Sequence, residues 1–344
     1  MEDKVKVLIV DDSVVFREAL ARGLDKDPHI DVVGRAFDPF DAMKKIEMLH
    51  PDVLTLDIEM PRMNGIDFLH KLIPEHPMPV VVVSSAPISI FEALDAGAVD
   101  FVRKPKVSTA ADMDLFCDDM VAKIRIAASA RVPKKTVVHH DATTRPVMVK
   151  NFTSANDNKI IAIGASTGGT EAILSVVQDL PSTTPGIVVV QHMPPVFTKM
   201  YADRIDKICK MNVAEAQNGD RVMRGKILIA PGGDQQMTIA KDMNGYYIKL
   251  TKGEKVSGHC PSVDVMFDSV AKVAGRNAVG IILTGMGADG AKGLLELRKS
   301  GAHTIGQDKE SCIVYGMPMV ANDIGAVEKQ CSLAQIPSQI AAYL

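Results

Sequence analysis

Cysteine is scarce in this 344-residue chain, and so are long apolar runs. The five cysteines are scattered and include no C-x-x-C pair, so neither a disulfide framework nor a zinc site is indicated. No apolar run approaches the roughly 18 residues that a membrane helix needs. The first residues, MEDKVKVLIVDDS, hold only a short apolar run that ends in acidic residues. We therefore expect a soluble, cytoplasmic protein with reduced thiols and no membrane insertion.

A surplus of basic charge is also lacking. The net charge is −3, with 20 basic and 24 acidic side chains in the first 156 residues and 19 and 18 in the rest. Neither half has the basic surplus typical of proteins that bind nucleic acids, and no compact helix-turn-helix pattern lies near the end of the chain. These absences argue against a nucleic-acid partner.

Short apolar runs alternate with helical patterns along the whole chain. This alternation predicts parallel sheets covered by helices on both faces. The length suffices for two domains that each bury a core. We predict an α/β fold with two doubly wound parallel-sheet domains joined by a linker. The apolar runs lie at 5–10, 52–56, 80–84 and 100–105 and, in a second series, at 159–164, 186–192, 225–231 and 279–285.

The predicted linker is the segment 126–156, between a first domain at 1–125 and a second at 157–344. It lacks sustained periodicity and collects Lys, Thr and Pro. Its paired histidines, His139 and His140, have no further ligands at suitable spacing, so a metal site is not favoured there.

Polar side chains stand at the ends of the first four apolar runs. Asp11 and Asp12 follow the first run, Asp57 the second and Ser84 the third, and Lys104 lies at the end of the fourth. Each alone could be a turn residue, but ligands of open parallel sheets bind beyond these strand ends. Converging carboxylates need a hard cation such as Mg²⁺. A carboxylate beside a metal and a lysine ammonium can accept a phosphoryl group.

These residues resemble the receiver domain of two-component response regulators over about 1–125. The resemblance implies a flavodoxin-like domain with Asp57 as the phosphoacceptor and a cis bond before Pro105. The motifs that carry it are DDS at 11–13, D-x-x-M-P at 57–61, NG at 64–65, Ser84 and KP at 104–105. The implied Mg²⁺ ligands are Asp11, Asp12, Asp57 and the main-chain carbonyl of Glu59. The implied switch residues are Ser84, Phe101 and Lys104.

The second domain begins with a serine in a turn of small residues. GASTG at 164–168 fits the G-x-S-x-G pattern, in which Ser166 would occupy a strained turn between a strand and a helix. A phosphate-binding turn is the alternative, but the lysine of a P-loop and the G-x-G-x-x-G spacing are both missing. The motif alone does not decide, because a serine nucleophile needs a base.

Among the candidate bases, position favours His192. It ends the apolar run 186–192 and should therefore lie at the carboxyl end of the strand that follows the serine. His259 lies in a loop context, and His303 precedes an apolar run and should lie at the opposite end of a strand. A histidine that merely ends a strand is the alternative interpretation of His192.

Among the candidate acids, Asp289 follows the apolar run 279–285 in a turn flanked by glycines. Asp264 begins a helical pattern, so we expect it to cap that helix. Glu171 lies on the helix after Ser166. The predicted triad is therefore Ser166, His192 and Asp289, in which the carboxylate orients the imidazole and stabilises its protonated form.

Taken together, the two halves resemble the CheB family of chemotaxis protein-glutamate methylesterases over essentially the whole chain. The carrying motifs are GASTGG (164–169), QHMP (191–194), APGG (230–233), PSVD (261–264), LTGMGADGA (283–291) and YGMP (315–318). The resemblance implies a Rossmann-like catalytic domain without a cofactor. It also implies that the main-chain N–H of Met286 helps to form the oxyanion hole, with Thr167 supporting the site.

By the same resemblance, the substrates are γ-glutamyl methyl esters and certain glutamines of methyl-accepting chemotaxis receptors. The histidine kinase CheA is the implied phosphodonor. We hypothesise that the unphosphorylated first domain blocks the second and that phosphorylation of Asp57 releases it. Two alternatives stay open: a receiver-controlled hydrolase of another protein ester, and a catalytically silent binding module.

Overall fold

The computed structural model describes residues 4–85, 87–105, 109–132 and 158–344. The chain divides into two compact units, Met1–Asp141 and Ala142–Leu344. Each unit contains a parallel sheet whose strands alternate with helices, so the predicted α/β fold class is confirmed. Most of the predicted linker, including His139 and His140, lies outside the described residues. The last helix of the first unit continues past residue 125 and ends at Ala128.

The first unit is built on a five-stranded parallel sheet. Its strand order, β2-β1-β3-β4-β5, changes direction between β1 and β3, the place where ligands of such sheets bind. The strands are β1 (Val5–Val10), β2 (Ile30–Ala36), β3 (Val53–Asp57), β4 (Val80–Ser84) and β5 (Asp100–Arg103). The helices are α1 (Val14–Leu24), α2 (Pro39–Leu49), α3 (Gly65–Glu75), α4 (Pro87–Ala96) and α5 (Ala110–Ala128).

The second unit contains a seven-stranded parallel sheet and a separate two-stranded antiparallel hairpin that the sequence patterns did not predict. The strands are β6 (Ile160–Ala165), β7 (Gly186–Gln191), β8 (Asn212–Glu215), β9 (Lys226–Ile229), β10 (Gln235–Asp242), β11 (Gly245–Lys252), β12 (Ala278–Ile282), β13 (His303–Gln307) and β14 (Lys329–Cys331). The helices are α6 (Gly169–Val177), α7 (Phe197–Asp206), α8 (Val263–Ala274), α9 (Ala291–Lys299), α10 (Met317–Asp323) and α11 (Ile336–Tyr343). Short 3₁₀ helices lie at Gly275–Asn277 and Leu333–Gln335.

The large sheet has the strand order β14-β13-β12-β6-β7-β9-β8. Its central strands β12, β6 and β7 are buried along their whole length, which is why they are continuous apolar runs in the sequence. The order changes direction between β12 and β6. The turns after these three neighbouring strands therefore meet at one edge of the sheet.

Two local expectations were wrong. The peptide bond before Pro105 is trans, the form that is intrinsically favoured even before proline, and Cys260–Pro261 is the cis bond found among the described residues. Asp264 does not cap α8. The hydroxyl of Ser262 does so by accepting the N–H of Val265 at 3.4 Å, while the carboxylate of Asp264 accepts the N–H of Gly293 at 2.7 Å.

No helix in the described part of the chain is both long enough and apolar enough to cross a membrane.

A glycine allows α9 to pack closely against α8. A Cβ atom at Gly293 would lie 2.7 Å from the main-chain oxygen of Asp264 and 2.7 Å from Cβ of Phe267. Alanine normally favours a helix over glycine by about 1 kcal/mol, yet we expect Gly293→Ala to lower the free energy of unfolding by about 1–3 kcal/mol. The exposed Lys292→Ala should stay within about 0.5 kcal/mol of the parent. Denaturant unfolding of the full chain measures both, and a Gly293→Ala protein as stable as Lys292→Ala would contradict this packing.

Candidate active site

Ser166 lies in the turn that joins β6 to α6. This turn is at the carboxyl edge of the sheet, where the strand order changes direction between β12 and β6. Its main-chain N–H donates to the carbonyl of Thr284, the second residue after β12, at 3.0 Å. Gly285 approaches it so closely that a Cβ there would lie 2.7 Å from Cβ of Ser166. Gly168, the residue just before α6, has a φ of +76°, a conformation that glycine adopts without strain. The two loops thus present a half-exposed serine at the sheet edge.

His192 directly follows β7, the strand beside β6. Its main-chain N–H donates to the carbonyl of Ala165 at 3.2 Å, which places it next to Ser166. Its ring nitrogen Nε2 lies 2.8 Å from Oδ2 of Asp289. The other ring nitrogen, Nδ1, is buried and has no hydrogen-bond partner among the described residues. Such an unpaired buried nitrogen can still form a hydrogen bond in a complex, because catalytic hydrogen bonds are often long or poorly aligned until substrate is bound.

Asp289 is 1% exposed and is surrounded by hydrogen-bond donors. Besides His192, it accepts the hydroxyl of Ser262 at 2.7 Å and the main-chain N–H groups of Val263 at 2.8 Å and Asp264 at 3.1 Å. Burial acts to raise the pKa of Asp289, but the hydrogen bonds from His192 and Ser262 outweigh it and hold the pKa below its usual value. The carboxylate therefore stays ionised beside the imidazole at neutral pH.

The other candidate bases lie in different surroundings. The ring of His259 stacks on that of His192, with ring centroids 3.6 Å apart and an angle of 8° between the planes. His303 begins β13, at the opposite end of the sheet as expected, and its Nδ1 lies 3.0 Å from Glu328. Among the three histidines, His192 is the one bonded to Asp289.

The rival acids are engaged elsewhere. Burial raises the pKa of Asp264, and the nearby charge of Asp289 adds to the effect, against the hydrogen bond from Gly293. Glu171 pairs with Arg204 at 3.2 Å. Among these carboxylates, Asp289 is the one that contacts the imidazole of His192.

Sequence reasoning missed the side chains that fix the loops. The hydroxyl of Thr284 lies 3.0 Å from the carbonyl of Thr167 and accepts the N–H of Val314 at 2.9 Å. The Nε2 group of Gln191 lies 2.9 Å from the carbonyl of Ser166 and 3.1 Å from that of His192. The available signal was their position at or just after strand ends, within two residues of the predicted site residues His192 and Met286.

The residues expected at the oxyanion hole lie next to the serine. The main-chain N–H of Met286 follows Gly285 and makes no hydrogen bond within the described ranges. Thr167 is buried directly after Ser166, and its carbonyl lies 3.0 Å from the Thr284 hydroxyl. The N–H of Met286 is thus one of several donors in the loop after β12 without an acceptor among the described residues.

In the first unit, charged side chains gather at the carboxyl ends of β1 and β3. Carboxylate oxygens of Asp11, Asp12 and Asp57 lie within 4.8 Å of one another. The ammonium of Lys104 lies 2.7 Å from Asp11 and 2.7 Å from Asp57. Burial, together with the charge of Asp11, raises the pKa of Asp57 to about 6, against the hydrogen bond from Lys104. Three such carboxylates suit a hard divalent cation that accepts oxygen ligands.

The other predicted receiver residues lie around this cluster. The main-chain N–H of Glu59 donates to Asp57 at 3.3 Å. Ser84 ends β4, is fully buried, and its hydroxyl lies 3.3 Å from that of Ser89. Phe101 is buried in β5, the strand next to β4. Phe16, which sequence reasoning missed, lies with its ring centroid 4.4 Å from the Lys104 ammonium.

Comparison with known proteins identifies a family for each half of the chain. The family model for the CheB methylesterase matches residues 161–340, and the response regulator receiver domain model matches residues 7–111. A protein-glutamate methylesterase/protein-glutamine glutaminase of Syntrophomonas wolfei is 52% identical over 97% of this chain and 96% of its own. The chain belongs to the CheB methylesterase family. A second protein-glutamate methylesterase/protein-glutamine glutaminase, from Caulobacter vibrioides, is 49% identical over 98% of this chain and 97% of its own.

A solved structure also resembles the second unit. The crystal structure of the Thermotoga maritima CheB methylesterase catalytic domain is 36% identical, with a TM-score of 0.53, and covers 54% of this chain and 99% of that one. The predicted family and enzyme class are thus confirmed by CheB relatives, and the predicted receiver domain by its own family model.

The depressed pKa of Asp289 predicts a pH-dependent contribution to stability. We expect Asp289→Asn to lower the free energy of unfolding by about 2 kcal/mol at pH 7, because a buried charge-assisted network is lost. The ionised form is favoured in the folded state, so the difference from the parent should be full above about pH 5 and shrink as the pH falls below about 4. Denaturant unfolding at several pH values measures this difference.

The control is the exposed Asp179, 3.9 Å from the Lys210 ammonium. Asp179→Asn should change stability little at any of these pH values. An Asp289→Asn difference that stayed constant or grew on acidification would contradict the ionised, hydrogen-bonded state of Asp289.

Proposed function

We propose that this chain is a phosphorylation-activated protein-glutamate methylesterase and protein-glutamine glutaminase whose catalytic triad is Ser166, His192 and Asp289. The observation that carries the proposal is the 2.8 Å contact between His192 and the buried Asp289, directly beside the turn that presents Ser166. The names of the relatives from Syntrophomonas wolfei and Caulobacter vibrioides support the substrate class.

In the first half of the reaction, the Ser166 hydroxyl attacks the carbonyl carbon of a γ-glutamyl methyl ester. His192 takes the hydroxyl proton on Nδ1, and Asp289 stabilises the resulting imidazolium through Nε2. The developing oxyanion accepts the main-chain N–H of Met286, with Thr167 holding the adjoining turn. The C–O bond to the methoxy group then breaks, and methanol leaves with the proton from His192.

In the second half, the acyl-enzyme is hydrolysed. His192 removes a proton from water, the water oxygen attacks the acyl carbon, and the proton returns to Ser166 as glutamate leaves. The same steps convert a glutamine side chain to glutamate when ammonia is the leaving group. The hydrogen bonds from His192 and Ser262, with the N–H groups at the start of α8, keep Asp289 ionised through both halves.

We further propose that the first unit controls this activity through phosphorylation of Asp57. The carboxylates of Asp11, Asp12 and Asp57 and the carbonyl of Glu59 would hold Mg²⁺, which supplies positive charge for phosphoryl transfer when bound. Lys104 offers a fixed ammonium to the phosphoryl oxygens. Ser84 and Phe101, on neighbouring strands, are the residues through which the change reaches the surface.

The substrates that we propose are methyl-accepting chemotaxis receptors, and the phosphodonor that we propose is the histidine kinase CheA. Both follow from the family and from the receiver domain. A silent binding module would have no need for a buried carboxylate bonded to a histidine beside a turn that presents a half-exposed serine.

Loss of the nucleophile should abolish turnover. We expect Ser166→Ala to lower methanol release from methylated receptor membranes by at least about 10³-fold and to lose covalent labelling by a fluorophosphonate. The control is Ser182, an exposed serine in the same unit. Ser182→Ala should retain both methanol release and fluorophosphonate labelling. If Ser166→Ala kept its methanol release, the proposed triad would be wrong. Labelling of Ser166 without methanol release would instead point to a different protein ester.

Loss of the phosphoacceptor should abolish activation but not basal activity. We expect a small phosphodonor with Mg²⁺ to raise methanol release by the parent about tenfold, within the usual range of coupling between sites, and to leave Asp57→Asn unchanged. The control is Asp67→Asn, at an exposed carboxylate of α3, which should respond like the parent. Activation of Asp57→Asn equal to that of the parent would exclude Asp57 as the phosphoacceptor.

A further inference from the structure

A second histidine ring lies flat against the histidine of the proposed triad. The rings of His259 and His192 have centroids 3.6 Å apart and planes only 8° from parallel. The side chain of His192 is 8% exposed, whereas His259 is partly exposed. The stacked ring therefore covers one face of the catalytic imidazole.

The backbone around His259 holds this ring in place. Val256 and His259 exchange two main-chain hydrogen bonds of 2.9 Å each, and the intervening Ser257 and Gly258 have φ of +53° and +85°. This is the two-residue turn with positive φ at both central positions that closes tight hairpins. The chain then reaches Ser262, whose hydroxyl bonds Asp289 at 2.7 Å. One short segment thus contacts both the imidazole and the carboxylate of the triad.

The imidazole of His192 needs such a contact because its hydrogen bonds do not fix its plane. Nε2 is bonded to Asp289, but Nδ1 has no partner among the residues that the structure describes. A single hydrogen bond holds one point of the ring and leaves the ring free to tilt about it. Small misplacements of a catalytic group can lower the rate by about 10²-fold.

We propose that His259 is a positioning residue, whose stacked ring holds the plane of His192 so that Nδ1 can receive the Ser166 proton. The inference rests on the proposed triad. His259 takes no part in proton transfer in this proposal, so an aromatic ring without nitrogen should perform the same role.

The test compares three substitutions in the full chain. His259→Phe keeps a flat ring, His259→Leu keeps similar bulk without one, and His259→Ala removes both. We expect kcat for methanol release to fall about 10- to 100-fold in the Leu and Ala variants, with KM changed less than about threefold, and to stay within about threefold of the parent in the Phe variant. Thermal unfolding of each variant corrects the rates for the folded fraction.

Two outcomes would overturn the proposal: Phe as damaging as Leu, or Leu as active as the parent after this correction. A proton NMR signal gives a test that does not depend on turnover. The Nε2 proton shared between His192 and Asp289 should give a downfield resonance that persists in the Phe variant and broadens in the Leu variant. An unchanged resonance in His259→Leu would also overturn the stacking role. This readout reports on the His192 ring alone, so it stays informative even if the Ser166→Ala result shows that the proposed triad is wrong.

Discussion

The carboxylate of Asp289 is the group on which the second unit depends. A buried charge is stable only when donors replace the water that it lost. Here the donors come from His192 after β7, from the hydroxyl of Ser262 and from the first N–H groups of α8. Because Asp289 itself follows β12, one side chain joins two strand ends and a helix. The site cannot form unless these parts of the chain meet.

A second buried carboxylate, that of Asp264, links the same two helices in the opposite sense. Asp264, near the start of α8, accepts the N–H of Gly293 in α9, while Asp289, just before α9, accepts the N–H groups of α8. The two pKa shifts differ in sign. That of Asp264 is raised by burial and by its neighbour, whereas the donors around Asp289 lower its pKa despite burial. The carboxylate that contacts His192 is therefore the one whose ionised form the fold favours.

The sequence indicated the strands better than the loops. The apolar runs at 5–10 and 80–84 coincide with β1, which is buried over its last four residues, and β4, which is buried throughout, because buried parallel strands leave continuous apolar runs. The hairpin β10–β11 was missed because exposed and buried residues mix along it. Ser166, His192 and Asp289 stood out at strand ends, but the roles of Ser262 and Thr284 arise only where separate loops meet, which no local pattern records.

The same residue type behaves oppositely in the two units, and the donors around it explain why. Asp57 and Asp289 are both buried aspartates at the carboxyl end of a parallel sheet. Asp57 has a lysine and one N–H for compensation and stands beside Asp11, so its pKa rises to about 6. Asp289 has an imidazole, a hydroxyl and a helix N-terminus as donors, so its pKa falls. The first environment favours added positive charge beside the carboxylate, whereas the second keeps the carboxylate ionised and hydrogen-bonded to the imidazole of His192.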